Sequence, residues 1–296
     1  MTDIKFIACD LDGTLLTDNK DILTSTFNSL MEAQKRGIRL ILASGRNSAM
    51  IAPYAEQLQL DHYGGYMVGC NGQHIIDAQR GDRIDNELMD IETSARLFAF
   101  AKKQHLQFLA EHTRGFYVYV PKSMFPIKIL VSYLKQRHKL KKKHHADYSV
   151  LGGFMMSPDS FVSSISKPAD IKEECIKIGI THFPKIIELA LEKMDADLKE
   201  QLNIMHVTSY WVDIMPKGID KAAAIEQILV GNGVGFDALM AFGDAHNDLK
   251  MIRKAGIGVA MGNAMESIKS NADQITASNE DNGIGLVVDR LLKVIF

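Results

Sequence analysis

Cysteine is scarce in this chain, and its pattern excludes two common uses of the residue. The 296 residues include three cysteines, at positions 9, 70 and 175. An odd number of widely separated cysteines offers neither a disulfide framework nor the paired spacing of a zinc site. We therefore interpret Cys9, Cys70 and Cys175 as small buried residues of a protein in a reducing compartment.

Long apolar runs and a strong charge imbalance are also missing. No stretch reaches the roughly 20 apolar residues that a membrane-spanning helix needs. Asp3 and Lys5 interrupt the start of the chain, so we expect no secretory signal and a cytoplasmic location. The net charge of −2 gives no general attraction to nucleic acids or anionic membranes, and we expect neither as a partner.

One basic run, residues 135–145 (KQRHKLKKKHH), departs from this balanced charge. Runs of this kind usually form a solvated face, and no aromatic residue is interleaved that would stack on bases. We interpret the run as solvated. The alternative is that it raises the local positive potential for polyanionic substrates.

The stretch Asp10-Leu11-Asp12-Gly13-Thr14-Leu15-Leu16 follows a short apolar run, Lys5 to Cys9, that is typical of a strand buried on both faces. Ligands of open α/β sheets bind beyond the carboxyl ends of the strands. Two carboxylates placed together there raise each other's pKa unless a cation or a ring of donors neutralises them. The pair is therefore either a metal site or a turn with incidental acids.

The distribution of strands and helices predicts two domains, which the length also suits. Buried strands alternate with helices at both ends of the chain, a pattern that predicts an α/β core with a parallel sheet over residues 1–83 and 208–296. Between them, strands of alternating polarity and amphipathic helices predict an inserted α+β domain over residues 84–207. We predict one helix over 184–202 within this insertion.

Three loops at predicted strand ends carry polar groups of complementary kinds. The first offers carboxylates, the second a hydroxyl and backbone N–H groups suited to an anion, and the third further carboxylates and an amide. A lysine precedes the third loop, at 221 or at the neighbouring position 217. Carboxylates suit Mg²⁺, and a hydroxyl with an ammonium suits a phosphoryl group, so together the loops indicate phosphoryl transfer. The residues are Asp10 and Asp12, then Ser44, Gly45 and Arg46, then Asp244, Asn247 and Asp248, with Lys221.

Charge suggests how the two acids of the first loop divide the chemistry. A phosphate monoester repels an anionic nucleophile, so a bridging Mg²⁺ is needed before Asp10 can attack phosphorus and form an aspartyl phosphate. Asp12 is placed to protonate the leaving alcohol and later to accept a proton from water. Lys221 would balance the negative charge around Asp10.

The motifs DLDGTLL, ASGR, PKGIDKA, GDAHND, GIGVAMGNA and ITASNEDNG resemble the haloacid dehalogenase superfamily of hydrolases, and more narrowly its Cof-type (class IIB) phosphatases. The resemblance covers about residues 4–81 and 209–288. It implies a Rossmann-like three-layer α/β/α core with an inserted cap that selects the substrate. It also implies a nucleophile, an acid/base, a lysine, a Mg²⁺ site and phosphate contacts. The catalytic residues are Asp10, Asp12 and Lys221. The metal residues are Asp10, Asp12 (through its carbonyl), Asp244 and Asp248. The phosphate contacts are Leu11, Ser44, Gly45, Arg46, Lys221 and Asn247.

Several alternatives remain open from the sequence. Ser44 and Asp248 also suit the capping of a helix, and Lys217 suits the surface. A phosphomutase, or a non-catalytic regulator that binds phosphorylated metabolites, would use the same fold. We predict a Mg²⁺-dependent phosphatase of small phosphate esters, acting as a monomer or homodimer. The sequence does not name the substrate among sugar phosphates, nucleotides, flavin mononucleotide and pyridoxal phosphate.

Overall fold

The structure is a computed structural model that describes residues 3–124 and 161–295. The basic run at 135–145 lies outside the described residues. The chain divides into two compact units, Met1–Asn86 with Ile219–Phe296, called here the core unit, and Glu87–Gly218, called the inserted unit. No helix in the described ranges has the length and apolar character that crossing a membrane requires.

Helices and strands are numbered along the chain in both units. The strands of the core unit are β1 (Phe6–Cys9), β2 (Arg39–Ala43), β3 (Tyr66–Gly69), β4 (His74–Asp77), β5 (Arg83–Asp85), β12 (Leu239–Gly243), β13 (Ile257–Ala260) and β14 (Gln274–Ile275). Its helices are α1 (Thr24–Lys35), α2 (Ser48–Gln57), α3 (Leu60–Tyr63), α7 (Lys221–Gly231), α8 (Leu249–Lys254), α9 (Glu266–Lys269) and α10 (Gly283–Ile295).

The described strands of the core unit form one sheet in the order β14-β13-β12-β1-β2-β3-β4-β5. Neighbours from β14 through β3 are parallel, which confirms the predicted parallel α/β core. The hairpin of β4 and β5 extends the same sheet antiparallel to β3. Because β12, β1 and β2 are neighbours, the loops that follow them meet at one edge of the sheet.

Burial and helix ends explain why these elements form where they do. All four residues of β1 are buried, as a strand covered on both faces requires. Helix α1 stops at Gly37, whose φ of +89° favours glycine and whose N–H donates to the Gln34 carbonyl at 2.9 Å. Helix α7 starts at Asp220, whose side chain accepts the Ala223 N–H at 2.9 Å. That cap fixes the place of Lys221 in the first turn.

The inserted unit is an α+β domain with its own hydrophobic core. Its described sheet has the order β10-β11-β9-β6-β7-β8 and is antiparallel except for the pair β7 and β8. The strands are β6 (Gln107–His112), β7 (Gly115–Tyr119), β8 (Phe161–Ser164), β9 (Cys175–Thr181), β10 (Leu202–Thr208) and β11 (Trp211–Pro216). The helices are α4 (Ile91–Lys103), α5 (Pro184–Glu192) and α6 (Ala196–Glu200).

Two predictions for this region differ from the structure. The boundary predicted at 207/208 lies instead at 218/219, because β11 pairs with β10 and β9 and so belongs to the inserted sheet. The helix predicted over 184–202 is two helices. The chain leaves the first after Lys193, buries Met194 and resumes helix after the extended residue Asp195.

Candidate active site

The first loop begins at Asp10, directly after β1, and closes into a tight turn. The backbone N–H of Asp10 donates to the Phe242 carbonyl of the neighbouring strand at 3.1 Å. The N–H groups of Leu15 and Leu16 return to the carbonyls of Asp10 and Leu11 at 3.1 and 2.9 Å. This turn holds the Asp10 carboxyl group at the carboxyl end of β1, and Leu11 is fully buried beneath it.

Gly13 is required in this turn for two reasons. Its φ is +81°, a conformation that other residues rarely adopt. A Cβ at this position would also lie 2.6 Å from an oxygen of the Asp244 carboxylate. On the other side Thr14 donates its hydroxyl to Asp244 at 2.7 Å. The turn therefore packs directly on the third loop.

Lys221 is fully buried and ion-paired with two carboxylates. Its ammonium donates to Asp10 Oδ1, and to Asp248 Oδ1 at 2.7 Å. Burial alone would lower the pKa of this ammonium, but the charges of Asp10 and Asp248 raise it above its ordinary value. Lys221 is thus held as a cation beside the predicted nucleophile. Lys217 is exposed in the inserted unit, where its N–H donates to the Gln201 carbonyl at 3.1 Å, which agrees with the surface position considered for it.

Three carboxylates meet around Lys221. One oxygen from each of Asp10, Asp244 and Asp248 lies within 4.8 Å of the others. Burial, with the charges of Asp248 and Asp244 in addition, raises the pKa of Asp10 well above its ordinary value, although Lys221 acts against this. Burial and the Asp248 charge raise the pKa of Asp244 to about 7. One ammonium does not neutralise three acids, so a hard divalent cation such as Mg²⁺ fits this all-oxygen site.

The members of this cluster do not have equal roles. Asp248 Oδ2 accepts the N–H groups of Asp244 and Ala245 at 3.0 and 3.1 Å, while Oδ1 accepts Lys221. Asp248 therefore shapes the loop that precedes it and orients the lysine. Its side chain does not cap the following helix α8, so the capping role considered for it is wrong. Asp10 and Asp244 are the members better placed to meet a cation directly.

Asp12 lies in a different environment from Asp10. Its carboxylate accepts two hydrogen bonds from the Arg46 guanidinium, at 2.7 and 2.6 Å, and one from Lys20 at 2.7 Å. Burial would raise the pKa of Asp12, but these two cations lower it below its ordinary value. The sequence interpretation gave Arg46 to the phosphate and did not single out Lys20. In the structure both side chains contact Asp12.

The second loop presents Ser44 at the end of β2. Ser44 is buried, and its hydroxyl oxygen accepts the Arg46 N–H at 3.1 Å. The capping role considered for Ser44 belongs to Asn47, whose side chain accepts the Met50 N–H at 3.1 Å. Ser44 therefore shapes the loop and does not cap helix α2.

Asn71 is a functional candidate that the sequence interpretation missed. It is fully buried, with a φ of +55°, in the loop after β3. Its N–H donates to the Ser44 carbonyl at 2.9 Å, and its side-chain oxygen accepts the Asn247 amide at 3.1 Å. A Cβ on Gly45 would lie 3.3 Å from the Asn71 amide. Asn71 thus joins the two loops predicted to contact phosphate. The signal was available, because Asn-Gly follows a third buried strand at the same edge.

Comparisons with known proteins identify the family of this chain. A family model described as haloacid dehalogenase-like hydrolase matches residues 7–288. The 5-amino-6-(5-phospho-D-ribitylamino)uracil phosphatase YcsE of Bacillus subtilis (strain 168) is 27% identical, with 97% of this chain and 95% of that protein covered. The pyridoxal phosphate phosphatase YbhA of Escherichia coli (strain K12) is 27% identical, with 95% and 96% covered.

A solved structure gives the same result for the fold. The crystal structure of a haloacid dehalogenase-like hydrolase from Bacteroides thetaiotaomicron superposes with a TM-score of 0.74 at 28% identity, covering 97% of this chain and 99% of that chain. The match spans both units and all three strand-end loops. The chain belongs to the haloacid dehalogenase-like hydrolases, and within them to the Cof type that its motifs predicted.

Proposed function

We propose that this protein is a Mg²⁺-dependent phosphatase that hydrolyses small phosphorylated metabolites through an aspartyl-phosphate intermediate. The observation that carries the proposal is the buried Lys221, held between Asp10 and Asp248 beside Asp244. Burying a lysine together with acids costs free energy of folding. We therefore infer that these charges have a functional role. In the proposed complex, a divalent cation binds the carboxylates, and the cation and Lys221 together attract a dianionic phosphoryl group.

Asp10 is the proposed nucleophile. One carboxylate oxygen attacks phosphorus in line, the bond from phosphorus to the ester oxygen breaks, and Asp12 donates a proton to the departing alkoxide. In the second half a water molecule attacks phosphorus, Asp12 takes its proton, and the Asp10 carboxylate is released with inorganic phosphate. Mg²⁺, held by Asp10, Asp244 and the Asp12 carbonyl with Asp248 in support, would supply neutralising charge for this approach of anions.

The ion pairs of Asp12 are part of the proposal. The side chain of Asp12 is 40% exposed and that of Asp10 is 8% exposed, so Asp12 is the acid that exchanges protons with solvent. Arg46 and Lys20 oppose protonation of Asp12 in the arrangement observed. We propose that Asp12 leaves these partners when it takes up a proton and turns toward the leaving group.

The phosphate itself would lie among the second and third loops. Ser44 supplies a hydroxyl, Gly45 a backbone N–H, and Asn247 an amide that Asn71 orients. The relatives named for a uracil derivative and for pyridoxal phosphate indicate phosphomonoesters of small metabolites as the class to test. The three cysteines are buried thiols, which fits the cytoplasmic location that we propose with it.

The test is release of inorganic phosphate from a panel of sugar phosphates, nucleotides, flavin mononucleotide and pyridoxal phosphate, with Mg²⁺ and with EDTA. We expect turnover that EDTA abolishes and that Asp10→Asn lowers by about a thousandfold or more. The matched control is Asp289→Asn, the same change on an exposed residue of α10, which should leave turnover unchanged.

Three results would contradict the proposal. Activity that persists in Asp10→Asn would rule out the aspartyl phosphate. Transfer of phosphate to a second position of a sugar, without its release to water, would indicate a phosphomutase. Binding of phosphate esters with no turnover would indicate a regulator.

A further inference from the structure

Two asparagines near the C-terminus contact the catalytic turn, although the proposed chemistry does not use them. Asn263 lies after β13 and donates its side-chain amide to the Gly13 carbonyl at 2.7 Å. Asn279 lies after β14, is buried, and donates its side-chain amide to the Leu16 carbonyl at 2.9 Å. About 250 residues of chain separate each donor from its acceptor. We call the pair the asparagine clasp.

The two members of the clasp also bond to each other. The backbone N–H of Asn279 donates to the side-chain oxygen of Asn263 at 3.1 Å. An N–H can only face an acceptor, so this bond fixes the amide of Asn263 with its oxygen toward Asn279 and its NH₂ toward Gly13. Each asparagine therefore meets the turn in one orientation.

The segment that carries Asn263 braces the third loop as well. The N–H of Met261 donates to the Gly243 carbonyl at 3.1 Å, and the N–H of Met265 donates to the Asp244 carbonyl at 3.0 Å. One segment thus bonds the main chain of Asp244 on one side and of Gly13 on the other. Because Gly13 packs on the Asp244 carboxylate, this segment sets the spacing of the two loops.

The segment that carries Asn279 follows the outgoing chain beyond the turn. Glu280 accepts the Asp18 N–H at 2.6 Å, and Asn282 accepts the Thr26 hydroxyl at 2.9 Å. Gly262 lets the two asparagine segments approach, because a Cβ there would lie 2.9 Å from the Ser278 nitrogen. The two asparagine segments therefore form hydrogen bonds with the turn and with the chain that follows it, at several residues between 13 and 26.

We propose that the asparagine clasp positions Asp12 for acid catalysis by fixing the Gly13 peptide that follows it. The inference rests on the proposed phosphatase function and adds Asn263 and Asn279 as positioning residues, which act through Asp12 and do not touch the substrate. A general acid works only within hydrogen-bond reach of its target, so loosening the turn weakens proton donation first.

The leaving group provides the test. p-Nitrophenyl phosphate releases a phenolate that needs no proton, whereas an alkyl phosphate releases an alkoxide that needs one. Asn263→Ala should therefore lower kcat/KM by about fivefold for the best alkyl phosphate of the panel and by less than twofold for p-nitrophenyl phosphate. We compare kcat/KM because it covers the steps up to departure of the leaving group and excludes hydrolysis of the aspartyl phosphate, which is common to both substrates. The control is Asn271→Ala, which removes a similar amide hydrogen bond (to the Ser267 carbonyl, 2.8 Å) away from the turn and should change neither.

A second measurement does not depend on activity. Hydrogen exchange of the backbone N–H groups of Leu15 and Leu16 should accelerate in Asn263→Ala and stay unchanged in Asn271→Ala. Unchanged exchange in Asn263→Ala, or an equal fall of kcat/KM for both substrates, would overturn the clasp while leaving the phosphatase proposal intact. Failure of the phosphatase proposal is recognised separately, because wild-type protein would then turn over neither substrate.

Discussion

Two clusters on either side of one turn differ in almost every physical property. The Asp10 cluster is largely buried and has more acids than bases, and this environment raises the pKa of Asp10 and of Asp244. The Asp12 cluster is partly exposed, has more bases than acids, and lowers the pKa of its carboxyl. Asp10 and Asp12 are two residues apart. The comparison shows that two aspartates only two residues apart in one turn can lie in opposite electrostatic environments. This difference allows them to have separate roles.

The largest effect should come from removing the cation of the buried cluster. Lys221→Met leaves Asp10 and Asp248 buried without their partner, and we expect the free energy of unfolding to fall by about 3–5 kcal/mol. Urea unfolding measures this. Lys217→Met, at an exposed lysine, should change stability by less than about 0.5 kcal/mol. An equally small change for Lys221→Met would mean that the cluster is not the charge-dense site described.

The next largest effect should be stabilisation by Mg²⁺, which we expect to depend on the Asp10 cluster and not on the Asp12 side chain. At a concentration of about 100 times its dissociation constant, the ion should stabilise the protein by about 2.7 kcal/mol, because it binds the folded state alone. We expect this gain to vanish in Asp244→Asn and to persist in Asp12→Asn, whose side chain lies outside the carboxylate cluster. Thermal unfolding with Mg²⁺ and with EDTA provides the measurement. A loss of the gain in both variants would place Asp12 in the metal site through its side chain.

Gly13 links the two clusters, and a methyl group there should disturb both. Gly13→Ala combines a positive φ with a Cβ 2.6 Å from Asp244, so we expect destabilisation of about 2 kcal/mol. Gly37→Ala is the matched control, because its φ is also positive but a Cβ there meets nothing within 4 Å. It should cost about 1 kcal/mol. Equal costs, compared by urea unfolding, would show that the contact with Asp244 has no energetic effect.

The smallest effect belongs to the exposed cluster. Arg46→Gln removes the bidentate partner of Asp12, and for a partly exposed pair we expect less than about 1 kcal/mol at neutral pH. The folded-state pKa of Asp12 is lowered, so its contribution is present above the unfolded value of about 3.9 and is lost as pH falls through the folded value. Unfolding curves of wild type and variant should therefore converge on acidification below about pH 4. If the difference in free energy of unfolding between wild type and variant grew at acidic pH, the proposed effect of the Arg46–Asp12 ion pair would be contradicted.

Much of the core unit could be predicted from sequence, for a physical reason. Strands buried on both faces are continuous apolar runs, and the polar loops after them must meet at one edge of a parallel sheet. That reasoning brought Asp10 and Asp244 together before any coordinates, whereas the choice of Lys221 over Lys217 came from the family resemblance. The same reasoning does not predict which group a long, flexible side chain will contact. From the sequence, both a bound phosphate and Asp12 are candidate partners of the Arg46 guanidinium. In the structure it bonds Asp12, because of the way the turn is arranged.

The inserted unit illustrates a different limit. The residues of β11 are all buried, and its mostly apolar sequence would suit a strand of either sheet, so the sequence pattern alone misplaced the boundary. The break between α5 and α6 contains neither glycine nor proline, and it arises where Met194 turns into the core. The contacts of the asparagine clasp join residues about 250 positions apart in sequence, which no local pattern reports.

The central claim is that Asp10 carries the phosphoryl group, and it can be tested by trapping that species. Asp12→Asn should form the intermediate from p-nitrophenyl phosphate, because that leaving group needs no proton, and should hydrolyse it slowly, because water then lacks its base. After acid quenching, mass spectrometry of the peptide spanning β1 and the turn should find one phosphoryl group on Asp10. Turnover with no phosphorylated protein, or with phosphate on another residue, would contradict the account.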